Sequence, residues 1–193
     1  MANLEKEPII EAQTLDNGLI LELRPLSTDD VEFYYNSVSN SKEHLRHFKQ
    51  TVVDTCPNID SAHNYISNPD RLRLRFGIWV VSLVSESKIY VGYINAAINK
   101  VGSEAEIGYW LDKDYQGNGY ATMAVIALVN YLIENCKSVK RIFAKVVVGN
   151  FGSEKVLERS GFMPKGSLKE PPKDADQLEP VKKRVYEYPI IST

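Results

Sequence analysis

Along the chain the spacing of hydrophobic and polar positions changes several times, and each change marks an expected element. Residues 76–84 and 89–98 are rich in β-branched and aromatic side chains and flank the polar stretch Ser85-Glu86-Ser87-Lys88. Such side chains favour the extended backbone, and a short polar break between two runs of them predicts a hairpin. A third strand is expected over 104–111, after a turn at 99–103. From 141 to 148 the alternation is clear: Ile142, Ala144, Val146 and Val148 point one way, Arg141 and Lys145 the other. That is the pattern of a strand with one wet face. Near the start, residues 19–24 read as a strand leading through Pro25, with Ser27 or Thr28 as cap, into an amphipathic helix over about 29–38. A second helical region follows, broken at Cys56-Pro57 and restarting near 60–67.

The run 115–133 is 19 residues long and contains no charge. Its first five residues are turn-like, and the apolar remainder of 14, which includes Thr122 and Asn130, falls short of the roughly 20 needed to cross a bilayer. A buried helix over roughly 117–134 fits better. Asn150 then caps a short helix with Glu154 in its first turn and Arg159 in its last, stopped by Gly161 where a positive φ is wanted. Residues 169–183 hold three prolines and eight charges and read as a mobile loop before a last strand at 184–190. The order, strands, helix, strand, helix, strand, with a helical insertion after the first strand, is that of a mixed α/β protein.

At 193 residues, with no internal repeat and no Gly/Ser linker, the chain is expected to form one domain spanning 1–193. Lys and Arg number 23 against 25 for Asp and Glu, a net charge of -2, which gives no overall positive field to hold a polyanion; nucleic acid is not expected as a partner. Cys56 and Cys136 are too few and too far apart for a disulfide framework, and Glu5, Lys6 and Glu7 stand where a secretion signal has its apolar core. A cytoplasmic protein with no membrane partner is the expectation.

Chemistry concentrates in 104–122. A strand ends at Leu111, an acidic loop follows, and two glycines open a helix whose first amides lack intrahelical acceptors, the arrangement that binds phosphate. Gly117 and Gly119 let backbone approach an anion, Ala121 adds little bulk, and the Thr122 hydroxyl can donate to a phosphate oxygen. A plain glycine-rich turn into a core helix needs no more than the same residues. A dinucleotide fingerprint is not met, because position 122 is Thr and the next acid, Glu134, lies in the same helix; nor is a Walker loop, since the nearest spacing match, Gly161 to Gly166, continues with Ser167.

Gln116-Gly-Asn-Gly-Tyr-Ala121 resembles the Gln/Arg-x-x-Gly-x-Gly/Ala signature of GNAT-type N-acetyltransferases. Ala-Glu-Ile-Gly-Tyr-Trp-Leu upstream, and Asn150-x-x-Ser153-x-x-Val-Leu-Glu-x-x-Gly161-Phe162 downstream, look like the RimJ/RimL branch of ribosomal-protein N-acetyltransferases. The likeness is good over 89–162 and holds only in outline over the first 70 residues. It implies a GNAT fold, a central twisted mixed sheet with helices on both faces, and acetyl-CoA as cosubstrate in a V-shaped gap between the third and fourth strands of the main sheet. By this resemblance the pantetheine arm pairs with the backbone of Tyr109, Trp110 and Leu111, and the pyrophosphate meets Gln116, Gly117, Asn118, Gly119, Tyr120, Ala121 and Thr122. Asn150 and Ser153 would touch the arm and Lys155 the 3′-phosphate. Asn150 serves equally as a helix cap, Ser153 as a first-turn residue, and Lys155 as a solvated charge.

The reaction sets its own demands. An amine must lose a proton before it attacks a thioester, and α-amines titrate near ~8 and lysine amines near ~10.4, so a base is useful. Glu106, on the strand beside the expected thioester, is the candidate base, directly or through a water; Glu104 on the same face is the second choice. Donors for the developing oxyanion are expected from strand amides near 107–109. Many GNAT enzymes carry an acidic Tyr where this chain has Leu157, so Ser153 is the replacement candidate, with Tyr109, Tyr120 or solvent as alternatives. His44 and His47 are three apart but have no third ligand at metal spacing, and no metal is expected. Cys136 reads as structural and Phe33, Tyr34, Tyr35 and Phe48 as core, although the helical insertion borders the acceptor site in this family and part of it is expected to line the amine pocket.

The expected activity is transfer of acetyl from acetyl-CoA to a primary amine by direct attack, with a protein N-terminal α-amine, such as that of a ribosomal protein, favoured by the branch. Polyamines and other small amines stay open, and the modest negative charge suits a cationic acceptor. A non-catalytic acyl-CoA-binding regulatory module is the reading from a different class. A homodimer is left open.

Overall fold

The computed structural model describes residues 8–14, 18–48, 52–68, 72–171 and 180–190. Eight strands form one sheet in the order β1-β2-β3-β4-β5-β6-β8-β7. They are β1 (Ile10–Thr14), β2 (Leu19–Pro25), β3 (Arg73–Ser82), β4 (Lys88–Ile98), β5 (Glu104–Leu111), β6 (Arg141–Val147), β7 (Met163–Glu170) and β8 (Val181–Tyr188). All neighbours are antiparallel except β5 and β6, which run parallel and are joined by a helix, as a parallel crossover requires. The helices are α1 (Val31–Asn40), α2 (Lys42–His47), α3 (Val52–Thr55), α4 (Ile59–Ser67), α5 (Tyr120–Asn135) and α6 (Phe151–Arg159).

Period-two alternation divides the sheet between two cores. Leu74, Phe76, Ile78 and Val80 of β3, with Ala105 and Ile107 of β5 and Ile142, Ala144 and Val146 of β6, pack against Ala124, Val125, Leu128 and Leu132 of α5. Trp79 and Val81 of β3, Tyr90 and Tyr93 of β4 and Trp110 of β5 face the other way, onto Val31, Tyr34, Val38, Val53 and Ala62 of the helical insertion. The lack of charge in α5 up to Ile133 follows from its place: a helix laid across a sheet buries much of its circumference. The aromatic group of the insertion divides, with Tyr34 nearly fully buried against Tyr93 and Trp110, while Phe33 is half exposed at the edge of Trp79.

Several boundaries differ from the sequence reading. β1 was not expected, since a five-residue edge strand carries too short a pattern to stand out. Part of the expected mobile loop over 169–183 is strand instead: its first residues end β7 and its last begin β8 at Val181, and 172–179 lie outside the described residues. Met163–Glu170 contains a proline and a glycine, yet it is an edge strand with an irregularity between Pro164 and Gly166, the position where a sheet tolerates a missing N–H. Helix α5 begins at Tyr120, not 117, because Gly117 and Gly119 adopt φ of 83° and 81°, outside any right-handed helix. A turn of 3-10 helix, Thr28–Asp30, precedes α1, with the Ser27 N–H and hydroxyl both donating to Asp30 Oδ2. Asn150 and Gly161 act as expected: the Asn150 side chain accepts the Ser153 N–H at 3.2 Å, and Gly161 ends α6 with φ 89°.

Beyond the helices, a chain of ion pairs fastens the second half of the sheet. Glu106 of β5 meets Lys145 of β6 at 3.1 Å, Lys145 meets Glu170 of β7 at 3.2 Å, and Glu170 meets Lys183 of β8 at 2.7 Å. Burial opposes charge on Glu170, but hydrogen bonds and attraction from Lys183 and then Lys145 outweigh it and hold the carboxyl below the usual glutamate value.

Two outcomes follow for stability. At Gly92 an added Cβ would stand 2.4 Å from the Trp110 carbonyl oxygen and 2.9 Å from Leu111 Cα, so Gly92→Ala is expected to lose about 1–3 kcal/mol in urea unfolding by forcing β4 from β5. Because the Glu170 carboxyl is depressed on folding, its contribution is complete above the unfolded value near ~4.3 and disappears as pH falls through the lower folded value. Thermal melts of Glu170→Gln against the parent from pH 7 to pH 2 should therefore converge at the acid end.

Candidate functional site

The β5 and β6 ladder covers only Glu104↔Arg141 to Ile107↔Ala144. Past that point Gly108, Tyr109, Trp110 and Leu111 remain paired with β4 on one side, while among the described residues no strand pairs with their other edge. The strands have parted, and β5 is left with polar backbone facing a gap. Tyr109 crosses the gap, its hydroxyl donating to the Ser153 carbonyl on α6 at 3.1 Å. Burial pushes that hydroxyl far above the usual tyrosine value, so Tyr109 keeps its proton and serves as a tie.

Two cavities meet at the fork. The first, about 420 Å³, is bounded by the open end of β5 at Tyr109, Trp110 and Leu111, by the loop and helix start at Gln116, Gly117, Gly119, Ala121 and Thr122, and by Asn150, Ser153, Lys155, Val156 and Arg159 from the α6 side. His44, Leu45 and Phe48 close it from the helical insertion. The second, about 340 Å³, lies on the insertion face of the sheet and holds Glu106, Gly108, Asn95, Arg73, Lys145 and Lys183. Phe48, Tyr109, Asn150 and Ser153 line both, so the residues expected to act together are drawn around one opening. Asn118 and Tyr120 do not line either cavity: the Asn118 amide donates to the Tyr115 and Gln116 carbonyls at 3.2 Å and 3.3 Å and stiffens the loop, and Tyr120 packs against the main core. Glu104 also lies outside both, bound to Arg141 at 3.0 Å. Leu157 is fully buried in the core.

The loop between β5 and α5 is held from the insertion. Asn40, at the end of α1, donates its amide to both Asp112 and Asp114 at 2.8 Å, and Ser41 Oγ accepts the Lys113 N–H at 2.9 Å. The loop thus delivers a 16-residue helix N-terminus to the first cavity, and its first turn carries no acid to oppose an anion. A Cβ added at Gly117 would meet nothing within 4 Å, so glycine is present on the cavity wall for its backbone conformation. Lys155 and Arg159 add positive charge on the same wall. A diphosphate fits the helix start and these cations, and an amide-bearing chain fits the open edge of β5, which offers strand donors and acceptors.

The sequence led to the expectation that part of the helical insertion lines the amine pocket but did not single out His44 or Leu45 of α2, which line the first cavity. His44 and His47 pack edge-on against Phe48, with ring centroids 5.2 Å and 4.7 Å away. Burial, and then the charge of His47, hold His44 below the usual histidine value, so it faces the cavity as a neutral ring. Among the described residues no group of His, Cys, Asp and Glu is arranged to hold a metal, and no helix is long and apolar enough to cross a membrane. Lys145 was legible only as the wet face of β6, and Arg159 only as a helix-end charge.

Comparison with known proteins agrees with this geometry. Residues 21–163 match the family described as acetyltransferase (GNAT) domain. The Bacillus subtilis protein named "Probable N-acetyltransferase YjcK" is 30% identical over 160 residues, covering 77% of this chain and 83% of that protein. An Escherichia coli ribosomal-protein-serine acetyltransferase is 37% identical over 73 residues, 38% of this chain and 40% of that one. A solved structure of RimL, a ribosomal L7/L12 α-N-protein acetyltransferase in complex with coenzyme A, superimposes with a TM-score of 0.77 at 21% identity, over 93% of this chain and 97% of the other. With a mixed, helix-flanked sheet forked between its parallel strands, a glycine-opened helix at the fork and a family match over most of its length, the chain belongs to the GNAT acetyltransferase family and is an N-acetyltransferase.

Proposed function

We propose that the protein, acting as one cytoplasmic domain, transfers the acetyl group of acetyl-CoA to the α-amine at the N-terminus of a protein, a ribosomal protein by analogy with the relatives. The observation that carries this reading is the meeting of the two cavities at the fork through Phe48, Tyr109, Asn150 and Ser153. One cavity has the helix start and cations suited to a diphosphate, and the other has a carboxylate suited to an amine. A donor bound in the first and an acceptor bound in the second would bring thioester and amine together.

The bound cosubstrate supplies an activated acyl group on a thiol leaving group. The remaining work belongs to the chain. The open edge of β5 and the amides at the start of α5 bind and orient, which converts an encounter of two solutes into a reaction within one complex. Glu106 lies on the insertion face of β5, its carboxylate held by Lys145 at 3.1 Å, and takes the amine proton directly or through a water. Burial disfavours the charge on Lys145, but hydrogen bonding and attraction from Glu106, and then from Glu170, overcome it and raise the ammonium above the usual lysine value, so the clamp persists across the working pH range. Ser153 at the junction is the candidate donor to the departing sulfur. Tyr109, bound to the Ser153 carbonyl, is better suited to fixing the width of the fork.

Two measurements test the assignment. Glu106→Gln should lower kcat/KM for an N-terminal peptide by on the order of 10²–10⁴ while acetyl-CoA affinity by isothermal titration stays the same. Unchanged transfer across the pH range would remove Glu106 as the base. Gly119→Trp should abolish acetyl-CoA binding, since a bulky side chain would lie where the anion is expected; normal binding by a variant with native circular dichroism would sink the phosphate-loop assignment.

A further inference from the structure

Residues directly opposite one another in adjacent strands share a face of the sheet. Ala97 of β4 stands opposite Glu106 of β5, and two residues along Asn95 stands opposite Gly108, so all four lie on the insertion face. The small side chains at Ala97 and Gly108 leave a hollow there, and this hollow is the polar cavity. Gly108 also makes room for the Asn95 amide, since a Cβ in its place would stand 3.0 Å from Asn95 Oδ1. Asn95 and Glu106 are thus diagonal neighbours across one strand pair, with backbones about 7–8 Å apart.

The polar groups around this hollow are largely matched among themselves. Lys145 is shared by Glu106 at 3.1 Å and Glu170 at 3.2 Å, and Lys183 meets Glu170 at 2.7 Å. Tyr109 is spent on the Ser153 carbonyl. Asn95 is not so matched: it lines the hollow with an exposure of only 9%, and its amide makes no hydrogen bond with the described residues. Arg75, opposite it on β3, donates instead to the Tyr65 and Asn68 carbonyls at 2.7 Å and 3.0 Å. A primary amide carries two donors and an acceptor, and one held nearly buried on a cavity wall suits a ligand that offers both kinds of partner. An extended residue does so, presenting its own N–H and carbonyl side by side, the pair that adjacent strands exchange. A polyamine or alkylamine has no carbonyl and at neutral pH offers donors alone.

Resting on the acetyltransferase reading above, we infer that Asn95 reads the backbone of the acceptor's second residue, and so selects the α-amine of a peptide over an amine on a plain carbon chain. Consecutive Cα atoms are about 3.8 Å apart. An acceptor whose α-amine meets Glu106, directly or through a water, therefore places its second residue within reach of Asn95. There Oδ1 accepts the N–H of that residue and Nδ2 donates to its carbonyl.

The test uses the full chain with acetyl-CoA, thiol release as the readout, and three acceptors: an N-terminal peptide, the same peptide with an ester in place of its first peptide bond, and hexylamine. The ester removes the N–H that Oδ1 would accept and leaves the α-amine in place. Expected for the parent is a kcat/KM about five- to tenfold lower for the ester than for the peptide. Asn95→Leu, similar in size but without a polar atom, should lose about tenfold on the peptide and less than about twofold on hexylamine, and should no longer tell peptide from ester. Comparing variant with parent on each acceptor cancels the differences in amine basicity. Asn95→Ser, too short to span the pair, should act in the same direction should leucine disturb the sheet. Equal rates on peptide and ester by the parent, or an equal loss by the variants on all three acceptors, would overturn the inference while leaving acetyl transfer standing. Absence of acetyl-CoA binding in a parallel titration would instead defeat the acetyltransferase reading and this inference with it.

Discussion

The fork between β5 and β6 is the constraint on which the site depends. A parallel ladder that ends inside a sheet leaves amides and carbonyls with nothing to bond, and buried backbone groups are costly to leave unpaired. Here the ladder ends after Ile107↔Ala144, while β4 continues to hold the far side of β5 as far as Leu111. The exposed edge is therefore rigid and unsatisfied at once, which is what a binding edge requires. The Tyr109 hydroxyl on the Ser153 carbonyl spans the opening and sets how far α6 stands from β5. Gly92, pressed against the Trp110 carbonyl, keeps β4 close enough to β5 to support it.

The two faces of the sheet divide the chemistry. On one face, Ala105, Ile107 and the apolar side of α5 make a dry core that fixes where the helix begins. On the other, the same strand presents Glu106, Gly108 and Trp110 to the helical insertion and the polar cavity. Alternation along eight residues of β5 therefore aims successive side chains at a core, at the chemistry, and at the core again. The insertion does more than cover aromatic residues. Through Asn40 it holds the acidic loop that positions α5, and through Phe48 it reaches the junction of the cavities.

The ion pairs that join Glu106 to Lys145, Glu170 and Lys183 tie the candidate base to the last strands of the chain. Only β8, inserted between β6 and β7, brings these groups together. The base is thus held in an ion-pair network that draws on three strands distant in sequence.

By itself the sequence determined whatever is encoded over a few neighbouring residues. The alternation over 141–148, the Asn150 cap, the Gly161 stop and the glycines that open α5 can each be read locally, because backbone sterics and end-of-helix hydrogen bonding act within a turn. The signature at Gln116 to Ala121 likewise marked the wall of the first cavity. Less legible were β1, the edge strand β7 and the contributions of His44, Phe48, Asn95, Arg73 and Lys183, which have ordinary local surroundings. Their roles arise from register and sheet order: Asn95 faces Gly108 only through the β4–β5 pairing, and Lys183 reaches Glu170 only because β8 lies beside β7. Tertiary structure decided those positions, since contacts between distant segments depend on packing and closure, which no window of neighbouring residues contains.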